Sequence, residues 1–176
     1  LHAAHNAITD LSVVGTLAKL TELDVSYNAL QGIAPLSGCV RLEKLNATNN
    51  QISDISTAAA LPLLTELNLD YNGLSDLSGL SGCASLKTLT LSNNSIEDIS
   101  PLAGLKTLER LDFSYNNVSQ MPQFAENSAM QVIDGSHNVL ESIDALRNMA
   151  DIGYIYMDYN KLTNVDALAE CYHLVQ

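Results

Sequence analysis

The sequence is poor in basic residues and lacks long apolar runs, and each absence excludes a class of function. It contains 8 lysines and arginines against 20 aspartates and glutamates, which gives a formal net charge of −12. A nucleic-acid backbone or an anionic membrane surface would repel such a chain, so we expect no nucleic-acid partner. No apolar run approaches the roughly 18 residues that a membrane-spanning helix requires, and we expect no membrane insertion.

What the sequence does contain is a strict internal repeat. Asparagine recurs every 22 residues without insertion or deletion, at Asn6, Asn28, Asn50, Asn72, Asn94, Asn116, Asn138 and Asn160. The apolar residues around it keep one phase, and a single unit cannot bury them alone, so the units must stack. We predict one repeat domain over residues 1–176, with eight 22-residue units that form four pairs of 44. The chain starts and stops within a unit, and we expect a fragment without terminal caps.

Each unit is predicted to contain a short strand and then a tight turn. In "LTELDVSYN" (20–28) the apolar residues alternate, which is typical of a strand, and later they fall at every third residue, which is typical of a 3₁₀ segment. Parallel strands, one per unit, would pair their backbones and bury the apolar rows between them. Ser100 before Pro101 is a typical helix start. Equivalent cap positions are held by Ser12, Ser56, Ser78, Asp144 and Asp166.

The pattern LxxLxLxxNxIxDISxLxxL is almost complete in "LKTLTLSNNSIEDISPLAGL" at residues 86–105. It closely resembles the 22-residue leucine-rich repeats of bacterial internalins, and the resemblance covers the whole chain. It implies an α/β-type repeat solenoid that is curved, with parallel strands on the concave face and short turns or 3₁₀ segments on the convex face. The related phosphatase-regulatory repeats usually carry glutamate where this chain has Ser56, Ser78 and Ser100, so the internalin subtype matches better.

The repeat asparagines and the cysteines are interpreted as structural. An asparagine amide can donate to and accept from backbone groups that are left unpaired where a strand ends. Cys39, Cys83 and Cys171 share one inward position. Strands about 5 Å apart place the first two on the order of 10 Å from each other, too far for a disulfide or a shared metal site. We expect free, buried thiols.

Tyrosine follows a slower rhythm of 44 residues. The position before each repeat asparagine alternates between tyrosine and another residue, as Tyr27, Asn49, Tyr71, Asn93, Tyr115, His137 and Tyr159. This row should border the concave face. Tyrosines two units apart lie about 10 Å from each other, too far for ring contact, so they either pack over the intervening residues or stay exposed for a partner.

The outward strand positions form polar rows that become aromatic toward the C-terminus. Tyrosine is enriched at binding hot spots because its rigid ring buries a large area while its hydroxyl stays satisfied. We therefore predict a partner-binding site formed by Tyr71, Asp112, Tyr115, Val132, Asp134, His137, Tyr154, Tyr156, Asp158 and Tyr159. The alternative is that Tyr154 and Tyr156 cover an end of the solenoid that a cap normally protects.

Units six and seven depart from the pattern. Asn127 stands at a core leucine position, Pro122 comes one place early, and Gly135 stands at a strand core position. Phe113 precedes Gly135 in that core row, and we expect its large ring to fill the space that the glycine leaves.

Only one group of residues resembles catalytic machinery, and it consists of Asp134, Ser136 and His137. A serine nucleophile needs a base within hydrogen-bond reach and an acid that orients the base. Asp134 and Ser136 would leave the same strand face about 7 Å apart, and a shallow open surface would not exclude water. We expect no enzymatic activity, no cofactor and no metal.

The prediction is a non-catalytic protein–protein recognition module that binds a partner protein through its concave face. We expect it to be part of a bacterial surface or secreted protein. Two alternatives remain open: a cytoplasmic scaffold or regulatory subunit of an enzyme, and a carbohydrate-binding surface. No small-molecule substrate is expected.

Overall fold

The structure, a computed structural model, describes residues 1–124, 127, 129–147, 149 and 151–176. In this described part seven strands form one parallel sheet in chain order: β1 Glu22–Asp24, β2 Lys44–Asn46, β3 Glu66–Asn68, β4 Thr88–Thr90, β5 Arg110–Asp112, β6 Val132–Asp134 and β7 Tyr154–Tyr156. Each strand pairs with the next through residues 22 positions apart, as Leu23 does with Leu45. The sheet register therefore equals the sequence period, and the predicted solenoid of parallel strands is confirmed.

Short 3₁₀ helices return the chain from one strand to the next. The described residues contain seven of them: Val14–Thr16, Ala34–Gly38, Ala58–Ala60, Ser78–Leu80, Ser100–Gly104, Asp144–Leu146 and Asp166–Glu170. None exceeds five residues, which agrees with the limited length over which the 3₁₀ hydrogen-bond geometry is favourable. In the part of the chain that the structure describes, no helix has the length and apolar character needed to span a membrane.

The predicted serine and aspartate caps of these helices are wrong. The residue before Ser100–Gly104 is Ile99, and none of the seven described helices has a side-chain cap hydrogen bond. Ser100 is already helical, so its own N–H needs an acceptor, which is Asp98 Oδ1 at 2.7 Å. The same bond to a side chain two residues earlier is made by the backbone N–H of Ser12, Ser56, Ser78, Asp144 and Asp166.

The core lies behind the sheet and is built from stacked rows of identical positions. The middle residue of β1 to β6 points into it and is at most 2% exposed: Leu23, Leu45, Leu67, Leu89, Leu111 and Ile133. Cys39, Cys83 and Cys171 are buried free thiols, as predicted, and burial raises the pKa of Cys83 to about 11. We call the opposite surface, formed by the first and third residues of β1–β7 and the residues that follow each strand, the strand face.

The repeat asparagines have the predicted structural role. Asn116 Nδ2 donates to the carbonyls of Leu91, Phe113 and Ser114 at 3.0 to 3.1 Å, and its Oδ1 accepts from the N–H of Ile96 at 2.9 Å. One side chain thus closes its own turn and joins two neighbouring units. Bonds of the same kind are made by Asn28, Asn50, Asn72, Asn94, Asn138 and Asn160.

The glycine in the core row is compensated by its neighbour. A Cβ added to Gly135 would lie 2.5 Å from Cζ of Phe113 and 3.0 Å from Sδ of Met157. The ring of Phe113 is completely buried. The large residue therefore occupies the space that the small one leaves, as the sequence predicted.

The asparagine at a core leucine position is also satisfied. Asn127 is 5% exposed, and its Nδ2 donates to the carbonyls of Leu105 and Leu108, both at 3.0 Å. Its Oδ1 accepts from the N–H groups of Ala129 and Met130 at 2.9 and 3.0 Å. A buried polar group is tolerated when its hydrogen bonds are made, and this substitution is therefore a structural variation.

Candidate functional site

On five of the seven described strands the third residue is fixed by a hydrogen bond from the turn that follows the strand. Asp112 Oδ1 accepts hydrogen bonds from the backbone N–H (2.9 Å) and the hydroxyl (2.7 Å) of Ser114, and Asp134 Oδ1 accepts from the N–H of Ser136 at 2.9 Å. Asn46 makes the same turn with its amide oxygen. These side chains therefore have a structural role, and the turns also hold the carboxylates in place on the strand face.

The residue before each repeat asparagine has a left-handed backbone in every unit. Its φ lies between 53° and 56° at His5, Tyr27, Asn49, Tyr71, Asn93, Tyr115, His137 and Tyr159. Asparagine visits this region readily, whereas a tyrosine there crowds its Cβ against the backbone. The 44-residue spacing sets the tyrosines apart in the sequence, but it does not reveal that they stand at a strained backbone position.

Three aromatic side chains of this row stack on one another. The ring centroid of His137 lies 4.0 Å from that of Tyr115 and 4.2 Å from that of Tyr159, with interplanar angles of 12° and 16°. The tyrosines two units apart do not touch directly, as expected, but His137 bridges them. The signal for this stack was in the sequence, since strands about 5 Å apart bring residues 22 positions apart within stacking distance.

Stacking does not bury these rings. The tyrosines pack over the intervening residue and also stay exposed, so the two possibilities that the sequence left open occur together. Tyr115 is 51% exposed and Tyr159 is 76% exposed, although each lies against His137. Tyr71 is also half exposed, and Asn93 separates it from Tyr115. The structure therefore does not bring Tyr71 into the stack.

The other predicted site residues lie together on β5, β6 and β7 and in the turns after them. Val132 is the register partner of Tyr154, and Asp134 is the register partner of Tyr156. Asp158 is exposed in the turn after β7. We call this surface the aromatic end of the strand face, and it comprises Asp112, Tyr115, Val132, Asp134, His137, Tyr154, Tyr156, Asp158 and Tyr159.

Three carboxylates, those of Asp112, Asp134 and Asp158, belong to the aromatic end. Burial raises the pKa of Asp112 above its usual value, and the hydrogen bonds from Ser114 act in the opposite direction. The negative charges of Asp134 and Asp70 raise the pKa further. The ionised carboxylate of Asp112 is therefore held in an unfavourable environment.

The strand face from β1 to β4 has a different character, and we call it the polar end. Two of its charged side chains form an ion pair, Lys44 Nζ with Glu66 Oε1 at 2.5 Å. A shallow groove of about 300 Å³ runs along it and is lined by Glu22, Leu23, Asp24, Lys44, Leu45, Asn46, Glu66, Leu67, Asn68, Thr88 and Thr90. No sequence motif predicts this groove, because its lining residues are common residue types at ordinary repeat positions.

The group that resembled catalytic machinery is arranged differently from a triad. Asp134 accepts a hydrogen bond from the backbone of Ser136, and Ser136 is only 8% exposed. The ring of His137 lies between two tyrosines. In the described part of the chain, no group of three or more histidine, cysteine, aspartate and glutamate side chains could hold a metal ion.

Models of leucine-rich repeats match this chain over more than half of its length. The model described as "Leucine Rich repeats (2 copies)" matches residues 40–82 and 84–126, and the model described as "Leucine Rich repeat" matches residues 16–33. No curated protein matches the sequence at a significant level.

Solved structures that resemble the chain include two internalins of Listeria monocytogenes. Internalin C2 (inlC2) is 26% identical with a TM-score of 0.96, over 100% of this chain and 78% of that one. An internalin (inlF) is 25% identical with a TM-score of 0.89, over 95% of this chain and 50% of that one. The chain thus spans about half the length of inlF. A leucine-rich repeat protein of Leptospira interrogans, 22% identical, shares the fold with a TM-score of 0.88 over 94% of this chain and 44% of that one.

Proposed function

This chain belongs to the leucine-rich repeat family in its internalin-like form, and from that premise we propose that it is a non-catalytic module that recognises a protein partner. The strand face, which corresponds to the concave face that the family resemblance implies, carries the partner. We infer from the internalin neighbours that the module is part of a bacterial surface or secreted protein.

One observation supports the aromatic end as the binding site. Tyr115 and Tyr159 stand at a left-handed backbone position, and more than half of each side chain is exposed. Asn49 and Asn93 hold the same position in other units, where they fit the left-handed backbone with less strain. Neither backbone preference nor core burial therefore favours tyrosine there. Strained residues of this kind cluster at functional sites, and a partner that covers the rings accounts for them.

The stack also suits the aromatic end to binding. His137 holds the two tyrosine rings parallel, so their orientation is set before a partner arrives. A side chain that is already ordered loses less conformational entropy on binding, and tyrosine is one of the residue types that dominate binding energy. The proposed site comprises Tyr71, Asp112, Tyr115, Val132, Asp134, His137, Tyr154, Tyr156, Asp158 and Tyr159.

The stack leaves fewer ring faces open to a sugar than three separate rings would. A sugar ring binds to the open face of an aromatic side chain, but both faces of His137 and one face each of Tyr115 and Tyr159 are already covered. The exposed edges and hydroxyl groups are suited to contacts with a protein surface.

The proposal can be tested by capturing a partner on the immobilised chain and on a variant that changes Tyr115, Tyr156 and Tyr159 to Asn. Asparagine is chosen because the fold already uses it at each position, at Asn49 and Asn93 for the turn and at Asn46 and Asn68 for the strand. We expect capture to fall at least about tenfold, since hot-spot side chains contribute 2 kcal/mol or more. The unfolding midpoint should stay close to that of the wild type.

The control variant changes Lys44 and Glu66 to Thr, the residue at the matching Thr88 position of β4. Capture by this variant should equal that of the wild type. Unaltered capture by the tyrosine variant, or an equal loss in the two variants, would refute the proposed site.

A further inference from the structure

Three carboxylates lie among the tyrosines of the aromatic end. Asp112 and Asp134 are register partners on β5 and β6, and Asp134 pairs in turn with Tyr156 of β7. Asp158 follows two residues after Tyr156, in the exposed turn. A partner surface that covers these rings therefore covers the carboxylates as well.

Covering these carboxylates is costly unless the partner replaces the water that they lose. A desolvated carboxylate needs a cation or several hydrogen-bond donors. Asp112 is already partly buried, and burial together with the negative charges of Asp134 and Asp70 raises its pKa. A purely apolar partner would make the ionised carboxylate of Asp112 still less favourable, and an acidic partner would do so to a greater extent.

One basic residue, Arg110, lies on the strand face near Asp112, as the first residue of the same strand. The groups with the largest effects on the pKa of the Asp112 carboxyl are Ser114, Asp134 and Asp70, and none of them is basic. Elsewhere on the molecule, by contrast, Lys44 pairs with Glu66 at 2.5 Å and Lys87 pairs with Glu109 at 2.9 Å. Arg110 can balance only one of the three carboxylates of Asp112, Asp134 and Asp158, and a basic partner would balance the negative charge that is left.

We propose that the aromatic end takes a basic segment of the partner protein, with an arginine placed between Tyr156 and the carboxylates of Asp112 and Asp134. This inference rests on the proposed function. Arginine is favoured over lysine because its planar guanidinium stacks on an aromatic face and donates to a carboxylate in a fixed fork. The ring of Tyr156 lies outside the stack of Tyr115, His137 and Tyr159, and Tyr156 is the register partner of Asp134. It is therefore the ring beside which a guanidinium also reaches a carboxylate.

The test uses fluorescent hexa-arginine, hexalysine and hexaglutamate peptides titrated into the whole chain at low salt. One variant changes Asp112 and Asp134 to Asn, which keeps the turn hydrogen bonds because Asn46 and Asn68 already make them at the same position. The matched control changes Glu22 and Glu66 to Gln, so both variants lose two negative charges. Only the location of the lost charge then differs.

The expected result is that hexa-arginine binds more tightly than hexalysine and that hexaglutamate does not bind. The affinity for hexa-arginine should fall at least about fivefold in the aspartate variant and less than about twofold in the control variant. Both variants lose the same net charge, but only the aspartate variant loses carboxylates that contact the peptide directly. Equal weakening in the two variants, or no binding of hexa-arginine, overturns the inference.

The outcome is distinguishable from failure of the proposed function. If partner capture depends on the tyrosines but hexa-arginine binds both charge variants alike, recognition stands and the basic partner is wrong. If capture is indifferent to the tyrosines, the proposed function itself is refuted, whatever the peptides do.

Discussion

Two aspartates at the same place in the repeat show how the polar end and the aromatic end differ. Asp24 and Asp112 are each the third residue of a strand, and each accepts bonds from the N–H and hydroxyl of the serine two residues later. For Asp24, burial acts to raise the pKa, but the bonds from Ser26 and the charge of His2 outweigh it and lower the pKa. For Asp112, burial dominates and the pKa is raised.

The difference lies in the neighbours and not in the scaffold. At the polar end Lys44 pairs with Glu66, and Asp24 lies 4.0 Å from His2. At the aromatic end the carboxylates of Asp112 and Asp134 lie side by side and are flanked by exposed rings. A partner that covers exposed rings and supplies positive charge therefore binds more favourably at the aromatic end than at the polar end.

The largest expected effect tests whether both ends rest on the same scaffold. Changing Asn72 or Asn116 to Ala removes three donated bonds and one accepted bond in each case. We expect each variant to lose about 3 kcal/mol of unfolding free energy, because several backbone groups lose their partners. Urea denaturation measures this. If one variant unfolds readily and the other is unaffected, the ends differ in scaffold as well as in surface.

The second effect belongs to the core beneath the aromatic end. Gly135→Ala should lose about 2 kcal/mol of unfolding free energy, because its Cβ would lie 2.5 Å from the ring of Phe113. The double variant Phe113→Leu with Gly135→Ala should recover much of this loss, since leucine is the residue of this row at Leu69 and Leu91. Thermal unfolding of the two singles and the double measures the coupling. Simple additivity would show that the two residues are independent.

The third effect separates the strained tyrosines by whether they stack. Tyr71→Asn should raise the unfolding free energy by about 0.5 to 1 kcal/mol, because asparagine fits the left-handed backbone better. Tyr115→Asn should gain less, since it also loses the stack with His137. Denaturation of both variants in one buffer measures the difference. A loss of stability in Tyr71→Asn would show that its ring supports the fold.

The smallest effect is a pH dependence of opposite sign at the two ends. Because the pKa of Asp24 is lowered, ionised Asp24 stabilises the fold above pH 3.8, its ordinary pKa. This stabilisation is lost as the pH falls through the lowered pKa. Because the pKa of Asp112 is raised, protonated Asp112 stabilises the fold below pH 3.8, its ordinary pKa. This stabilisation is lost as the pH rises through the raised pKa. At pH 7, therefore, Asp24→Asn should destabilise and Asp112→Asn should stabilise.

Both changes should stay below about 1 kcal/mol because solvent screens the side chains, and both should shrink in acid. Denaturant titrations at pH 7 and pH 3 give the two values for each variant. Effects of the same sign at pH 7 would contradict the contrast between the ends.

The fold could be predicted almost completely from the sequence because each unit encodes its own strand, turn and asparagine bonds at a fixed period. Leu23 and Leu45 are in register because nothing interrupts the 22-residue spacing. What could not be predicted depends on backbone angles and on contacts across units. The left-handed position of Tyr115 is invisible in a pattern of residue types, and its contact with His137 follows only once strand spacing is applied to both.

The helix caps and the polar groove escaped prediction for related reasons. Ser100 has the residue type of a cap but already lies in the helix, so Asp98 provides the acceptor. A shift of one residue in the start of the helix decides whether Ser100 is the cap or the first helical residue. The spacing of apolar residues does not fix a helix start to within one residue. The groove at the polar end arises from the stacking of ordinary residues.

Oxidative footprinting of the chain, alone and bound to a captured partner, tests most directly whether the aromatic end is the recognition surface. Tyr27 at the polar end and Tyr159 at the aromatic end stand at the same repeat position and are both exposed, so they serve as matched reporters. The partner should protect Tyr154, Tyr156 and Tyr159 from oxidation severalfold and leave Tyr27 as reactive as in the free chain. Protection of Tyr27 with unchanged oxidation at Tyr156 and Tyr159 would show that the aromatic end is not the recognition surface.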